Sequence, residues 1–246
     1  PLYVAYSIYR NRIKEKYPNK EPYELNIEQQ QELWDKTIAE NVFVLCKTPM
    51  AKSITKRTLL GFRDAKVNTH YFEDMVRQIT QRPDKFITKI RKGQSYWKAN
   101  HNNDMKFNAI VGNPPYQEMD GGNSESARPV YHNFVEIAKQ IGPDFFSMIM
   151  PARWYAGGKG LDSFREDMLN DTRLSQIFDF PNSNDCFTNV DIAGGLCYFL
   201  WDKYHSENCT ITNNINDEIV SAKRPLNEYR ILIRDNKAIP IINKVL

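Results

Sequence analysis

Short apolar runs that favour β-strands alternate along this chain with longer stretches of helical periodicity, and this alternation constrains its fold most. The strand-like runs span residues 42–46, 107–112, 145–150, 174–180 and 192–201. The stretches with apolar residues at helical spacing span residues 2–13, 27–40, 49–60, 131–141 and 161–169. Such alternation is typical of an α/β sheet with helices on both faces. We therefore expect an α/β fold.

Local signals place several boundaries. Thr48-Pro49 supplies an N-cap and a proline at the first helical position, and Gly61 supplies a residue that commonly ends a helix. Residues 62–103 are polar and basic, and we interpret them as an insertion with helices near 71–80 and 84–92. Residues 113–127 are rich in Gly, Ser, Asn and acidic side chains, which predicts a long loop.

Composition excludes several classes of protein. The longest apolar run, residues 192–201, is far shorter than the roughly 20 residues that span a bilayer, and the mean hydropathy is −0.60. Four cysteines lie far apart without a C-x-x-C pair, and four histidines show no metal-ligand spacing. We expect a cytoplasmic protein with no metal site and no covalent catalysis.

Charge is distributed unevenly along the chain. Residues 1–100 hold 19 Lys and Arg against 11 Asp and Glu, whereas residues 101–246 hold 14 against 19. Between Lys47 and Lys98 the basic excess is sharper, and Arg57, Arg91 and Lys92 are candidates for contacts with a polyanion. An ordinary solvated helical face is an equally good interpretation of this segment, because spacing in sequence does not show whether the charges share a surface.

The tetrapeptide Asn113-Pro114-Pro115-Tyr116 is the most informative motif, since it directly follows the strand predicted at 107–112. In open α/β sheets, ligands bind at the carboxyl ends of the strands. The Asn113 side-chain oxygen and the Pro114 carbonyl are two acceptors for the N–H groups of an exocyclic amine. The prolines restrict the backbone, and Tyr116 offers a ring on which a flipped base can stack. This pattern suits a reaction in which an exocyclic amine attacks an electrophile.

The motif matches the N-P-P-Y motif of S-adenosylmethionine-dependent amino-group methyltransferases, and the chain most resembles N6-adenine DNA methyltransferases. The preceding run Phe107 to Gly112 resembles their strand F-D-x-I-x-G, with Asn108 where Asp is common. Residues 150–169 resemble a P-x-R-W segment and the following helix in the methylase domain of bifunctional type II restriction–modification enzymes. Residues 185–195 resemble their F-x-x-V segment, whose Phe stacks on the extruded adenine and corresponds to Phe187.

The resemblance implies a Rossmann-like methyltransferase sheet, S-adenosylmethionine as methyl donor, and double-stranded DNA as partner. The family's glycine-containing cofactor loop has no counterpart here, so we expect residues 1–246 to be one catalytic domain truncated at its N-terminus. Upstream and DNA-specificity regions would belong to a larger polypeptide. In the segment that resembles the family's second strand, Cys46 occupies the position of the acidic residue that holds the cofactor ribose. The cofactor-binding residues are therefore unknown.

Two alternatives remain open. The N-P-P-Y motif also serves RNA and protein-amide N-methyltransferases, and a decayed or missing cofactor site would leave a non-catalytic DNA-binding fragment. Gly157-Gly158-Lys159-Gly160 before a predicted helix is either a flexible surface loop or a contact between Lys159 and the DNA backbone.

Overall fold

The computed structural model describes residues 1–92, 97, 105–118, 127–215 and 218–245. It divides into two compact units, Pro1–Lys106 and Phe107–Leu246. The predicted loop at 113–127 falls partly outside the described residues. In the described parts of the chain, no helix has the length and apolarity needed to cross a membrane.

Unit 1 combines five helices with a two-stranded parallel sheet within its described residues. Its elements are α1 (Leu2–Lys16), α2 (Ile27–Glu40), β1 (Phe43–Cys46), α3 (Pro49–Leu60), β2 (Asn68–Tyr71), α4 (Met75–Gln81) and α5 (Pro83–Arg91). The predicted N-cap of α3 is confirmed, since the Thr48 hydroxyl accepts a hydrogen bond from the Ala51 N–H at 3.1 Å. Gly61 ends this helix with φ of 63°.

The strand β2 was not predicted, and it lies in the segment interpreted as an insertion. It pairs with β1 along its whole length, from Phe43 opposite Asn68 to Cys46 opposite Tyr71. The side chain of Asn68 is fully buried and donates to the Ala39 carbonyl at 2.7 Å. The run 68–71 is polar and does not alternate, so it carries no strand signal. Its extended conformation is determined by the pairing with β1. The helix predicted near 71–80 accordingly begins only at Met75.

Unit 2 is built on a mixed six-stranded sheet in the order β10-β9-β7-β8-β6-β3. Its elements are β3 (Ala109–Gly112), β4 (Gln117–Glu118), β5 (Arg128–Pro129), α6 (Tyr131–Ile141), β6 (Phe145–Pro151), α7 (Asp162–Asn170), β7 (Leu174–Phe180), β8 (Leu196–Asp202), β9 (Cys209–Ile215), β10 (Glu218–Arg224) and α8 (Ile239–Val245). The strand β8 runs antiparallel to both of its neighbours, β6 and β7. The α/β class expected from the sequence is confirmed.

Two strand predictions need correction. The run at 107–112 was predicted as a buried strand, but β3 is the last strand of its sheet, and Val111 is 67% exposed. The run at 192–201 forms a strand only from Leu196, because Gly194 and Gly195 have φ of 87° and 75°, outside the range of extended backbone. Strands β9 and β10 were not predicted, since Thr and Asn interrupt the apolar pattern of β9, and Glu, Ser, Lys and Arg interrupt that of β10.

The core of unit 2 packs on one face of the sheet and is rich in aromatic side chains. Phe146, Phe199 and Trp201 from the central strands are almost fully buried, as is Trp154 after β6. The indole N–H of Trp201 donates to the Asp171 carboxylate at 3.0 Å. This carboxylate is also buried, and it therefore needs its hydrogen-bond partners.

Asp171 joins three elements of unit 2. Its carboxylate accepts hydrogen bonds from Arg173 at 2.6 Å and from Trp201, and it pairs with Lys139 of α6 at 2.8 Å. Burial acts to raise the pKa of Asp171, but the bonds from Arg173 and Lys139 outweigh it and hold this pKa well below its usual range.

We expect Asp171→Asn to lower the free energy of unfolding by about 3 kcal/mol at pH 7, because the largely buried Lys139 loses its buried charged partner. Because the folded pKa is depressed, the contribution is complete above the unfolded pKa of about 4 and is lost as the pH falls towards the folded value. Urea unfolding followed by tryptophan fluorescence at pH 7, 5 and 3 measures this contribution to the free energy of unfolding. Asp167→Asn is the matched control, since Asp167 also pairs with Lys139 but is 59% exposed. An equal loss in both variants would contradict this account.

Candidate functional site

Three segments that the sequence singled out meet at one edge of the unit 2 sheet. Strands β3, β6 and β7 run in the same direction, because β3 is parallel to β6, and β8 is antiparallel to both β6 and β7. Their carboxyl ends, and the beginning of β8, therefore lie at a common edge. The N-P-P-Y motif follows β3, residues 152–160 follow β6, and residues 181–195 connect β7 to β8.

The N-P-P-Y segment is held at both of its ends. Before it, Gly112 pairs with Met148 of β6. After it, the Tyr116 carbonyl accepts a hydrogen bond from the Val130 N–H at 3.1 Å, and β4 pairs with β5. Pro114 is buried, whereas Asn113 is exposed. Within the described residues, neither the Asn113 side chain nor the Pro114 carbonyl takes part in a hydrogen bond, so both acceptors are available.

The Tyr116 hydroxyl is buried and has no hydrogen-bond partner within the described part of the chain. Burial raises the pKa of Tyr116 to about 12, with smaller contributions from the Cys186 and Cys197 thiols. The phenol is therefore neutral at physiological pH and is a poor proton donor or acceptor there. What Tyr116 can offer a ligand is the face of its half-buried ring.

Phe187 lies in the segment 181–195, which we call the Phe187 loop, and Ser183 organises this loop from within. The buried Ser183 hydroxyl donates to the Val190 carbonyl at 2.6 Å and accepts from the Ile192 N–H at 3.0 Å. The Ser183 carbonyl accepts from the Phe187 N–H at 2.9 Å. The Phe187 ring is half-buried. The loop and the motif lie at the same edge of the sheet, where β3, β6 and β7 end.

The Phe187 loop ends at two glycines, Gly194 and Gly195, which differ in the space around them. A Cβ on Gly195 would lie 2.2 Å from the Phe180 carbonyl oxygen, whereas a Cβ on Gly194 would meet no atom within 4 Å. The Gly195 carbonyl accepts from the Ala152 N–H at 3.0 Å, which connects the loop to the segment after β6. Glycine at 195 therefore permits the close approach of β7 and β8 at this edge.

The segment after β6 is an ordered turn, and it carries Lys159. A Cβ on Gly157 would lie 1.9 Å from the Arg165 guanidinium, which donates to the Ala156 carbonyl at 2.7 Å. Lys159 is exposed with φ of 49°. The turn therefore presents a cation at the same edge as the N-P-P-Y motif, and a contact between Lys159 and DNA stays a prediction.

The other basic candidates belong to unit 1. Arg57 lies on the exposed side of α3, with its guanidinium 5.3 Å from the centroid of the Phe62 ring. Arg91 ends α5, and Lys92 directly follows it. Their role in binding a polyanion stays a prediction.

The family that this chain resembles commonly has an aspartate where this chain has Asn108. The hydrogen bond of the Asn108 side chain to Asp144 explains why an asparagine is present here. Its side-chain amide donates to the Asp144 carboxylate at 3.0 Å, and this bond is the largest contribution that lowers the pKa of Asp144. An aspartate at 108 would bring two carboxylates together. Asn108 lies before β3, at the end opposite the motif, and has no role in the site.

The Cys46 position does not fit the ribose of S-adenosylmethionine. Its side chain is 5% exposed, and its thiol lies 3.8 Å from the Thr55 hydroxyl of α3. Burial raises the pKa of this thiol, so it stays neutral at physiological pH and packs as a small apolar group. It cannot accept a pair of hydroxyl hydrogen bonds as a carboxylate does.

In the described part of the chain, no three His, Cys, Asp or Glu side chains form a group suited to a metal ion.

Sequence reasoning missed two residues that organise the site. Ser183 lies in a polar run that reads as an ordinary turn. Arg234 is distant in sequence from every motif, and its guanidinium binds Asp179 and the Gly194 carbonyl. No local sequence signal marks either residue. Ser183 binds groups within its own loop, whereas the partners of Arg234 lie 55 and 40 positions away.

Residues 40–187 match the Eco57I restriction-modification methylase family, and the chain belongs to this family. A protein of Mycoplasma pneumoniae described as an uncharacterized adenine-specific methylase is 33% identical over 141 residues, which cover 54% of this chain. The aligned part spans 33% of that relative's length.

Solved structures from restriction–modification systems are also similar to this chain. One from a type I system aligns with 77% of this chain and 35% of its own, at 12% identity and a TM-score of 0.48. The type IIG restriction endonuclease BpuSI aligns with 94% of this chain and 34% of its own, at 13% identity and a TM-score of 0.44.

We expect Gly195→Ala to destabilise unit 2 by about 3 kcal/mol or more, because strain at positive φ adds to overlap with the Phe180 carbonyl. Gly194→Ala is the matched control, with a positive φ but open space, and should cost about 1 to 2 kcal/mol. Thermal unfolding of both variants measures the difference. Equal losses would show that the close approach to Phe180 does not matter.

Proposed function

We propose that this chain forms the acceptor-binding part of an N6-adenine DNA methyltransferase of a restriction–modification system. The reaction would transfer a methyl group from S-adenosylmethionine to the N6 amine of a flipped adenine. The observation that supports this most is the N-P-P-Y segment, which is held at both ends and offers two unused acceptors at the sheet edge that also carries the Phe187 loop.

The acceptor amine needs help because its lone pair is delocalised into the heteroaromatic ring. Hydrogen bonds from its two N–H groups to the Asn113 Oδ1 and the Pro114 carbonyl would hold the nitrogen towards tetrahedral geometry. Both acceptors are in place before a substrate arrives, since Pro114 and Pro115 restrict the backbone from Asn113 to Tyr116. Preorganised acceptors lose little energy to rearrangement during the reaction.

Tyr116 and Phe187 would stack on the two faces of the flipped adenine. Extruding a base from a duplex costs a few kcal/mol, and stacking contributes about 1 to 3 kcal/mol per aromatic contact. Two such contacts are therefore enough to offset the cost. Both rings are half-buried, so one part of each ring packs within the protein and another part is exposed.

Basic side chains would contact the DNA backbone. Lys159 lies at the same sheet edge as the motif, and Arg57, Arg91 and Lys92 of unit 1 would add further contacts. Such contacts contribute affinity that falls as the salt concentration rises, but they carry no sequence preference.

We expect Asn113→Ala to reduce methyl transfer at least 100-fold, because one of the two amine acceptors is lost, while DNA affinity stays within about twofold. Transfer of a radiolabelled methyl group to duplex DNA, assayed in the complete polypeptide, measures the first quantity, and fluorescence anisotropy the second. Asn108→Ala is the control, an asparagine at the other end of the same strand. Near-normal turnover of Asn113→Ala would refute the proposed role, and transfer to RNA or a glutamine amide instead of DNA would change the acceptor class.

A second candidate function, DNA binding without catalysis, is favoured by one observation, the buried thiol of Cys46 at the position expected to hold the ribose. We therefore expect titration calorimetry to detect no binding of S-adenosylmethionine to these 246 residues. Binding by the complete polypeptide would support methyl transfer. Absence of binding there as well would favour the non-catalytic function, and binding by these residues alone would contradict the expectation.

A further inference from the structure

Two arginine–aspartate pairs lie near the two ends of β7. At its beginning, Arg173 binds the Asp171 carboxylate through Nε at 2.6 Å and Nη2 at 3.0 Å. Near its end, Arg234 binds the Asp179 carboxylate through Nε at 2.9 Å and Nη2 at 2.7 Å. Both carboxylates are almost completely buried, at 4% and 1% exposure of the side chain. Only the second pair lies at the edge that carries the candidate site.

Arg234 differs from Arg173 in reaching the Phe187 loop. Its Nη1 donates to the Gly194 carbonyl at 2.6 Å, while the rest of the guanidinium binds Asp179. The guanidinium also lies 5.4 Å from the centroid of the Tyr155 ring, which belongs to the segment after β6. One planar cation thus joins β7, the end of the loop and the segment after β6, and a planar fork suits this geometry better than a lysine ammonium.

The contact at Gly194 closes the loop that carries Phe187. Residue 194 precedes Gly195, whose N–H donates to the Ile192 carbonyl at 2.8 Å, and Ile192 in turn donates to the Ser183 hydroxyl. A chain of hydrogen bonds therefore runs from Arg234 through the end of the loop to Ser183. The Phe187 N–H is bound to the Ser183 carbonyl at the other end of this chain.

Asp179 fixes Arg234 by accepting hydrogen bonds from both Nε and Nη2 of its guanidinium. Burial raises the pKa of Asp179, and the bonds from Arg234 oppose that effect. A carboxylate buried this deeply is retained in the charged form by a hydrogen-bonded partner, so the pair holds the guanidinium in one place.

We propose that Arg234 is a positioning residue, which holds the Phe187 loop in the conformation that stacks on the extruded base. Its role in stacking rests on the proposed function, whereas its hold on the loop does not. Arg234 touches neither substrate nor reacting atoms, so it acts only through the position of Phe187.

Hydrogen exchange of residues 184–192 tests the hold on the loop. Arg234→Lys keeps the charge but not the fork, and it should speed exchange in this loop about tenfold, the equivalent of one hydrogen bond. Arg173→Lys is the matched control, which weakens the other pair and should leave loop exchange within about twofold. Unchanged exchange in Arg234→Lys, or an equal increase in both variants, would overturn the proposal. If Arg234→Lys does not fold, Arg234→Gln combined with Asp179→Asn takes its place with the same expected direction, since this pair leaves no buried charge without a partner.

A double-mutant cycle with Phe187→Ala tests whether Arg234 acts through Phe187. In the complete polypeptide, Arg234→Lys should raise the KM for duplex DNA and weaken the fluorescence of 2-aminopurine at the target position, each about fivefold, with little change in kcat. In the Phe187→Ala background, Arg234→Lys should change neither the KM for duplex DNA nor the 2-aminopurine fluorescence any further. Additive effects would show a merely structural role and overturn the proposal.

The two tests separate this inference from the proposed function. If Phe187→Ala leaves methyl transfer and base extrusion unchanged, then the stacking role of Phe187 is wrong, and so is the role of Arg234 in it. The exchange result would then still establish, or refute, the hold of Arg234 on the loop.

Discussion

The antiparallel strand β8, placed between β6 and β7, is the constraint on which the rest of unit 2 depends. It is hydrogen-bonded on both sides, and its inward-facing Cys197, Phe199 and Trp201 are almost fully buried. Because β8 runs against its neighbours, the connection from β7 must turn back at the edge where β3 and β6 end. This reversal brings the Phe187 loop to the N-P-P-Y motif.

The candidate site is organised by polar contacts rather than by apolar packing. Ser183 satisfies backbone groups within the Phe187 loop, and Arg234 binds its end. Asp179, buried beneath them, gives Arg234 a fixed partner. Each of these groups would be costly to bury alone, but together they satisfy one another, which favours a single loop conformation.

Much of the fold could be predicted from the sequence, because several elements carry their own signals. The apolar period predicted α2, α3 and α6, Thr48 and Gly61 predicted the two ends of α3, and β7 was predicted with its observed bounds. Strands β2 and β9 were missed, since their polar residues acquire extended structure by pairing with β1 and β7, and β10 in turn pairs with β9. The same limit hid Arg234, whose partners Asp179 and Gly194 lie 55 and 40 positions away.

The sequence by itself determined the α/β class and marked Asn113-Pro114-Pro115-Tyr116, because proline geometry and hydrophobic periodicity are local properties. Within the described residues, the tertiary structure alone decided that β3 is the last strand of its sheet, with an exposed Val111, and that Cys46 is a packed thiol beside Thr55. It also decided that the Phe187 loop lies at the same sheet edge as the motif. The positions of β3 and of the loop follow from strand order and direction, which depend on contacts between residues far apart in the chain and leave no local pattern.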